Sequence, residues 1–558
     1  MTSAESSTTP TTGREWAVRV GLLAILVGLR WIALQAAGGL WRDEVHSVDM
    51  ATGSLNNWFF ALTNDSFPAL WQVLLRGWIA LCGSTDLSLR SLGFVLSLSV
   101  IPSLWWAARP FGVRFPWWSM VLLGMDPSLI VYGGEVRAYG LGVVTLLVLL
   151  GVVGRVGLAP TRQGWIALFL ASLLAVHFSY TNCFMLAAIL IAQFLGAMRR
   201  GNYRVAIGFL AVGVLAAASM IPYVLWTMPR LARVVHHTPT GLLQRAQVFL
   251  AAYHWGGFTR SIVWPLVGVM GVGAAMRCAS ATQKTGEAPD PETEQAYFLL
   301  MFAAIGTIGF WSYMQFLGVS TQHWYYLPFL ALLAVTADWT SDLWVRRNPQ
   351  YSTRNMLAAA VVGLLMAYEL TLASFVPSIA FHFTTVDEVA QQIEEQARPD
   401  DLIVISPWYT GLTFQRYYHG SAPWIRLPNL APDRMTDGYP EVHDKYLTLS
   451  SPEAVRPELD RIRATLEAGG RIWWVGLIQK LPSDEPPLTL TAAPDPSYGW
   501  AESAYNESWR QLAYAEARKV GIKIQDVTAP RPLIVSPHET PRVYLFEPTT
   551  HSPLGTSR

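Results

Sequence analysis

The sequence predicts a polytopic all-α membrane bundle, about eleven transmembrane helices with juxtamembrane helices beside them, followed by a C-terminal extracytoplasmic α/β domain. Three observations lead there. Of 558 residues 52% are hydrophobic and only 14% are charged, with 24 tryptophans, a balance that belongs to polytopic membrane proteins. Apolar runs long enough to cross a ~30 Å bilayer core at ~1.5 Å per residue begin near residue 20 and recur. They stop near residue 376, where charge and proline return to soluble-domain levels. The chain divides accordingly into a disordered cytoplasmic tail (1–15), a transmembrane domain (16–376) and an α/β domain (377–558).

The tail is rich in Ser and Thr, and the apolar run behind it lacks a cleavage-site pattern, which makes it a retained anchor. Basic residues orient the rest, because they collect in cytoplasmic loops. The clusters are Arg14/Arg19, Arg109/Arg114, Arg155/Arg162, Arg199/Arg200/Arg204, Arg277/Lys284 and Arg346/Arg347/Arg354. With all six inside, each interval between them holds an even number of crossings. The interval 20–109 offers three runs, 20–37, 67–82 and 87–108. The middle one is short and carries Arg76 at its centre, so it is placed along the outer interface. The remaining spans are expected at about 115–134, 139–154, 164–179, 182–198, 205–227, 261–276, 296–319, 325–343 and 354–376. The pair 164–198 reads as a tight hairpin with its tip at His177 to Asn182. An odd total puts the C-terminal domain in the periplasm or its equivalent and the protein in the inner (plasma) membrane.

Beyond 377, Asp401–Ser406, Arg471–Gly476 and Arg542–Phe546 have the composition of short strands, and 386–397, 452–468 and 501–520 read as amphipathic helices. Their alternation implies a small layered α/β domain. The block from Ser406 to Tyr418 follows the first strand, where such folds place a ligand loop, and equally suits a face docking onto the membrane domain.

Composition also excludes. A net charge of +1 gives no reason for nucleic acid as a partner, and Cys82, Cys183 and Cys278 lie too far apart for a disulfide framework or a metal spacing. No glycine-rich nucleotide-phosphate loop is present. What remains is a set of polar features on the outer face: Asp43-Glu44 after the first span, Asp65-Ser66-Phe67-Pro68, Glu135-Val136-Arg137-Ala138-Tyr139, His177 to Tyr180, and His323-Trp324-Tyr325-Tyr326. Singly, each suits a solvated loop, an ion pair or a packed helix end. Together they make a ring of acids, a guanidinium, imidazoles and phenols at a membrane surface, where unpaired charge is costly and usually functional. The span interiors are expected to be mostly apolar. Trp58, Phe59, Phe60, Tyr253, Trp255 and Trp324 suit either sugar stacking or an interfacial aromatic belt, and His236, His237 and His254 fall in an outer loop able to cap a cavity.

The order Trp41-Arg42-Asp43-Glu44, Asp65-Ser66-Phe67-Pro68-Ala69-Leu70, Leu87-Ser88-Leu89-Arg90-Ser91-Leu92 and Tyr132-Gly133-Gly134-Glu135-Val136-Arg137-Ala138-Tyr139 resembles the C-type glycosyltransferase superfamily. Within it the chain is most similar to the bacterial branch near protein O-mannosyltransferases and lipid A aminoarabinose transferases, over roughly residues 16–345. It departs at Ser66-Phe67-Pro68, where many relatives have His-Pro-Pro, and at His323 to Tyr326, where they have an Arg-Tyr pair. The resemblance implies transfer of a sugar from a polyprenyl-phosphate donor to an acceptor hydroxyl on a lipid, glycan or protein, with inversion at C1. Asp43 matches the family's base, with Glu44 to orient it or share its proton. Substrate contacts are expected among Arg42, Glu135, Arg137, Tyr139, His177, Tyr180, His323 and Tyr325. Arg137 leads Arg42 and Arg90 as the cation for the leaving phosphate. Glu135 has three open roles: to hold Arg137, to bind a sugar hydroxyl, or to ligate a divalent cation with Asp43. No cofactor is otherwise implied. The competing readings are a non-enzymatic transporter or flippase of lipid-linked sugars, which would place charges along a path through the bilayer, and an anchored assembly protein, which would not need eleven spans.

Overall fold

The computed structural model describes residues 13–53, 67–227, 229, 241–255, 257–285, 290–317, 321–372, 379–429, 449–482, 484–495, 497, 501–530, 534–536 and 538–549. The N-terminal tail, Trp58, Phe59, Phe60, Asp65, Ser66, His236 and His237 lie outside the described residues. In chain order the helices are α1 (Gly13–Ala36), α2 (Arg42–Thr52), α3 (Ala69–Cys82), α4 (Asp86–Ala108), α5 (Trp117–Leu122), α6 (Pro127–Tyr132), α7 (Tyr139–Leu158), α8 (Arg162–Phe178), α9 (Asn182–Arg199) and α10 (Tyr203–Ser219). They continue with α11 (Leu242–His254), α12 (Gly257–Thr285), α13 (Pro291–Leu317), α14 (Leu327–Arg347) and α15 (Ser352–Thr371). Seven described segments are long and apolar enough to cross a membrane: Gly13–Ala36, Asp86–Phe111, Tyr139–Leu158, Asn182–Arg199, Tyr203–Thr227, Gly257–Arg277 and Pro291–Phe316. The chain is therefore a multi-pass membrane protein. α3, with 14 residues, reaches only about 21 Å, short of the bilayer core. Its Arg76 donates to the carbonyls of Ala51 at 3.1 Å and Gly53 at 3.0 Å, closing the C-terminal end of α2 with positive charge.

The expected span 115–134 is broken into α5 and α6, six residues each. A break inside an apolar bundle strands backbone groups that no water satisfies. Buried side chains meet them. Arg30 donates to Gly124 O at 2.9 Å and to Leu26 O and Ser97 O at 3.0 Å each. Asp126 caps α6 by accepting from Leu129 N at 2.9 Å, and Asp338 of α14 accepts from Trp118 N at 3.0 Å and the Ser119 hydroxyl at 2.9 Å. Asp126 is also paired with Arg260 of α12, both side chains wholly buried. The interiors are mostly apolar, as expected, and the buried charges named here meet the broken segment and its neighbours.

α4 has 23 residues, about 35 Å, and its two ends differ in chemistry. At the far end the basic clusters converge. Arg346 donates to Phe111 O at 3.1 Å, Arg199 and Arg200 pair with Glu294 at 2.6 and 2.9 Å, and Arg19 lies 5.0 Å over Phe115. At the near end Asp86, the first residue of α4, takes Arg416 at 2.6 Å and the Tyr417 hydroxyl at 2.6 Å, both from the C-terminal part of the chain.

That part runs β1 (Phe381–His382), α16 (Val386–Gln396), β2 (Leu402–Ser406), α17 (Thr410–Tyr417), β3 (Trp424–Arg426), α18 (Ser451–Glu467), β4 (Ile472–Gly476), α19 (Glu502–Val520), β5 (Ile522–Asp526), β6 (Ile534–Val535) and β7 (Val543–Pro548). The main sheet has the order β3-β2-β4-β7-β5, parallel among β3, β2 and β4, with β7 antiparallel to β4 and β5. β2 and β4 are buried along their whole length because helices cover both faces. Leu402, Val404, Ile472 and Trp474 pack in one core with α18 and α19, while Ile403, Ile405, Trp473 and Val475 pack in another with α16 and α17, the two-residue alternation of a strand. The strands and helices read from the sequence coincide with β2, β4, β7, α16, α18 and α19.

The polar repair of α5–α6 generates a stability prediction. Arg260→Leu leaves the Asp126 carboxylate buried without its guanidinium, and thermal unfolding in detergent should show a loss of about 3–5 kcal/mol. Adding Asp126→Leu should recover part of this, short of wild type by about 1 kcal/mol for the lost cap of α6. Equal stability of wild type and Arg260→Leu would mean the pair is not what holds the break.

Candidate active site at the mouth of the bundle

α2 carries the site, and its first turn sends two adjacent carboxylates in different directions, since successive helical positions diverge by about 100°. Glu44 points inward and is fully buried. It accepts from Arg90 Nη1 at 2.6 Å, Val136 N at 2.8 Å and Trp41 N at 3.3 Å. Burial pushes its carboxyl up, and the Arg90 guanidinium with the two backbone N–H groups pulls it back. Arg90 donates in addition to Gly39 O at 2.7 Å and lies 5.1 Å over Phe383. One carboxylate thereby joins α2, α4 and the turn 133–138. α4 and that turn approach so closely that a Cβ on Gly93 would lie 1.9 Å from Gly134 O. Of the two roles expected for Glu44, to orient Asp43 or to share its proton, this geometry suits the first, since three donors commit it to the core.

Asp43 points outward, with its side chain 23% exposed. Arg42 Nε lies 3.3 Å from Asp43 Oδ1, and Arg137 Nη2 lies 4.0 Å from Oδ2. Arg137 is anchored by donating to Asp43 O at 3.1 Å and Ser47 Oγ at 2.9 Å, with its guanidinium 4.7 Å over the Phe67 ring. α2 rests here on a small apolar cluster of its own, Val45 and Val48 with Phe67, Leu89, Leu92 and Val136. Tyr139 and Tyr325 are half-buried and within electrostatic reach of both Asp43 and Arg137. Trp324 packs the centre, 6.0 Å from Trp41, 4.6 Å from Tyr132 and 5.9 Å from Tyr139 between ring centroids. His323 stands 5.8 Å from Trp255. Burial lowers its imidazole, and His538 adds to the effect.

Glu135 is fully buried in the same turn as Arg137, and neither carboxyl oxygen has a hydrogen-bond partner among the described residues. Burial first, then Glu44 and Asp43, hold its carboxyl well above the usual range. Among the described residues no three carboxylate, imidazole or thiol side chains gather as a metal site. The site also leaves some expectations behind. Arg42 is drawn to the C-terminal domain, its guanidinium 4.5 Å over Tyr409 and its N–H 3.3 Å from Glu539 Oε2. His177 bonds Ser219 Oγ at 3.0 Å, and the rings of His177 and Tyr180 both gather on Tyr223 at 5.6 Å. That cluster is built by the α8–α9 hairpin and tied to α3 through the Tyr223 hydroxyl, which accepts from Ala69 N at 3.1 Å.

The structure brings in His538, which the sequence did not single out. Its half-buried ring stands 6.0 Å from Trp41 and 5.8 Å from Trp324. Burial and then Arg42 lower its imidazole while Asp43 raises it. Next to it, burial pushes the Glu539 carboxyl up to about 7. The Arg42–Glu539 contact joins residues 497 positions apart, a separation no local pattern reports.

No protein-family model and no curated protein matches the chain. Among solved structures it is similar to ArnT from Cupriavidus metallidurans bound to undecaprenyl phosphate, with 11% identity over 83% of this chain and 94% of that one and a TM-score of 0.49. It is similar to the Archaeoglobus fulgidus oligosaccharyltransferase, with 11% identity over 83% and 69% of the two chains and a TM-score of 0.42. The arabinofuranosyltransferase AftD from Mycobacteria matches at 14% identity over 97% of this chain and 42% of that one, with a TM-score of 0.41. No residue's role follows from likenesses at these scores.

Proposed function

We propose that the chain transfers a hexose or pentose from a polyprenyl-phosphate donor to a hydroxyl of a lipid, glycan or protein acceptor, at the end of the bundle that carries the C-terminal domain. The observation that carries this reading is the pairing of a partly exposed carboxylate with an anchored guanidinium: Asp43 and Arg137 stand 4.0 Å apart at the mouth of a membrane bundle. In the reaction the acceptor oxygen attacks C1 of the sugar while Asp43 takes its proton. The bond from C1 to the phosphate oxygen breaks, and its electron pair leaves on the lipid phosphate, whose charge Arg137 offsets. Attack opposite the leaving group inverts C1. Glu135 faces a sugar hydroxyl, and Tyr139, Tyr325, His323 and His538 flank the sugar and acceptor. Glu44 and Arg90 keep Asp43 and Arg137 in register. The positive-inside rule assigns the basic end to the cytoplasm and this mouth to the periplasm or its equivalent, across the inner membrane.

Three outcomes check it. With purified protein in detergent, a labelled polyprenyl-phosphate sugar and a hydroxyl acceptor, Asp43→Asn should lower kcat by ~10²–10⁴ while donor binding persists, since the amide keeps the shape and loses the base. Near wild-type turnover by that variant would sink the role given to Asp43. Arg137→Ala should instead lower kcat/KM through weaker donor binding as well as slower turnover, and Arg137→Lys should recover only part, because an ammonium lacks the planar fork. An Arg137→Ala enzyme with unchanged donor affinity would move the phosphate elsewhere. For sidedness, single cysteines in a chain freed of its three native cysteines should react with an impermeant thiol reagent in spheroplasts near Asp43 and in residues 379–549, and stay unreactive near Arg109–Arg114. The reverse labelling would invert the topology.

A further inference from the structure

The turn that delivers Asp43 is held from outside the bundle. Between the end of α1 and the start of α2, Phe383 N donates to Ala37 O at 3.1 Å, Leu40 N donates to the Tyr417 hydroxyl at 2.6 Å, and Arg42 N donates to Glu539 Oε2 at 3.3 Å. All three partners belong to the C-terminal domain. The Tyr417 hydroxyl donates onward to Asp86 Oδ2 at 2.6 Å, so the same atom fixes the approach to α2 and the first residue of α4. Glu539 is locked in turn by the Thr413 hydroxyl at 2.8 Å. Leu40 and Glu539 are buried, and backbone N–H groups in such a place need partners of this kind. A carboxyl on the first N–H of a helix also satisfies one of its orphan donors and complements its dipole.

We propose that the C-terminal domain is a working part of the catalytic site, with Tyr417 and Glu539 as positioning residues that set the height and direction of the Asp43 carboxylate. Tyr417 and Glu539 act on the α2 backbone directly and reach the substrates only through Asp43. This rests on the transfer reading above for its consequence in turnover, and on hydrogen bonds alone for its consequence in dynamics. A base displaced by a fraction of an ångström to an ångström loses on the order of 10–100-fold in rate with substrate binding little changed.

The test uses the full-length protein in detergent with two readouts. The first is hydrogen exchange at the amides of Leu40 and Arg42, which should quicken at least ~10-fold in Tyr417→Phe and Glu539→Ala respectively as each loses its acceptor. The second is sugar transfer, in which both variants should lose about 10–100-fold in kcat with donor and acceptor KM within about twofold, and Glu539→Gln, which keeps an oxygen for the Arg42 N–H, should recover most of the loss. Unchanged exchange in both variants overturns the proposal, as does quickened exchange with full kcat, a loss confined to KM, or a Gln variant as impaired as the Ala variant. Melting in detergent separates a misfolded variant, and Tyr417→Phe then decides for Glu539→Ala, or the reverse. A wild-type chain that transfers no sugar would overturn the transferase reading alone, and the exchange rates would still decide whether the domain holds α2.

Discussion

The buried Glu44 carboxylate is the contact on which the mouth of this protein depends. It takes three donors from three segments, the Arg90 guanidinium of α4, the backbone of Val136 and the backbone of Trp41. Removing one partner of a buried, hydrogen-bonded charge leaves the other uncompensated, at a cost of several kcal/mol. The register of α2 against α4 is therefore fixed, and with it the direction of the neighbouring Asp43. The close approach at Gly93 and Gly134 belongs to the same constraint, because the turn that presents Val136 to Glu44 must lie flat on α4.

A second set of buried charges does similar work deeper in the bundle. α5 and α6 are too short to cross alone, and the chain between them turns within the apolar region. Arg30, Asp126 and Asp338 supply the hydrogen bonds that a continuous helix would have made for itself. This explains why ionisable residues inside the bundle do not favour a transport path: those three bond backbone groups of their own or neighbouring helices.

Much of this was legible in the sequence, for physical reasons that also mark where legibility ended. The helical bundle followed from run lengths, and the α/β layers followed from Asp401–Ser406 and Arg471–Gly476, apolar on both faces as central parallel strands must be. Asp43, Arg137 and Tyr139 followed from motif order. Glu44 did not separate from Asp43, because which of two adjacent carboxylates turns inward depends on the azimuth of α2, and azimuth is set by Arg90 and Val136, far along the chain. The break at 123–126 had a sequence signal that was passed over: Asp126-Pro127 is an N-cap followed by proline in the first helical turn, the start of a new helix. His177 and Tyr180 sit on a hairpin tip whose side of the bundle no spacing reports. Tyr417 lies in the block 406–418 whose composition suits a docking face, but no local pattern brings His538 or Glu539 to residues 40–43.

Charge balance at the mouth narrows the three roles first open to Glu135. With Glu44 joined to Arg90 and Asp43 beside Arg42 and Arg137, two carboxylates already face three guanidiniums within the turn and its supports. A third ionised carboxyl, fully buried between them, would stand against both of its acidic neighbours without a hydrogen bond of its own, and burial with those neighbours raises it well above the usual range. Its link to Arg137 is long-range attraction, with no hydrogen bond among the described contacts. In the reaction proposed above, a carboxyl so placed meets a sugar hydroxyl, which can both donate to it and accept from it. Arg137 is held beside Asp43 by a carbonyl and a hydroxyl, which fix the direction of the guanidinium proposed to meet the phosphate.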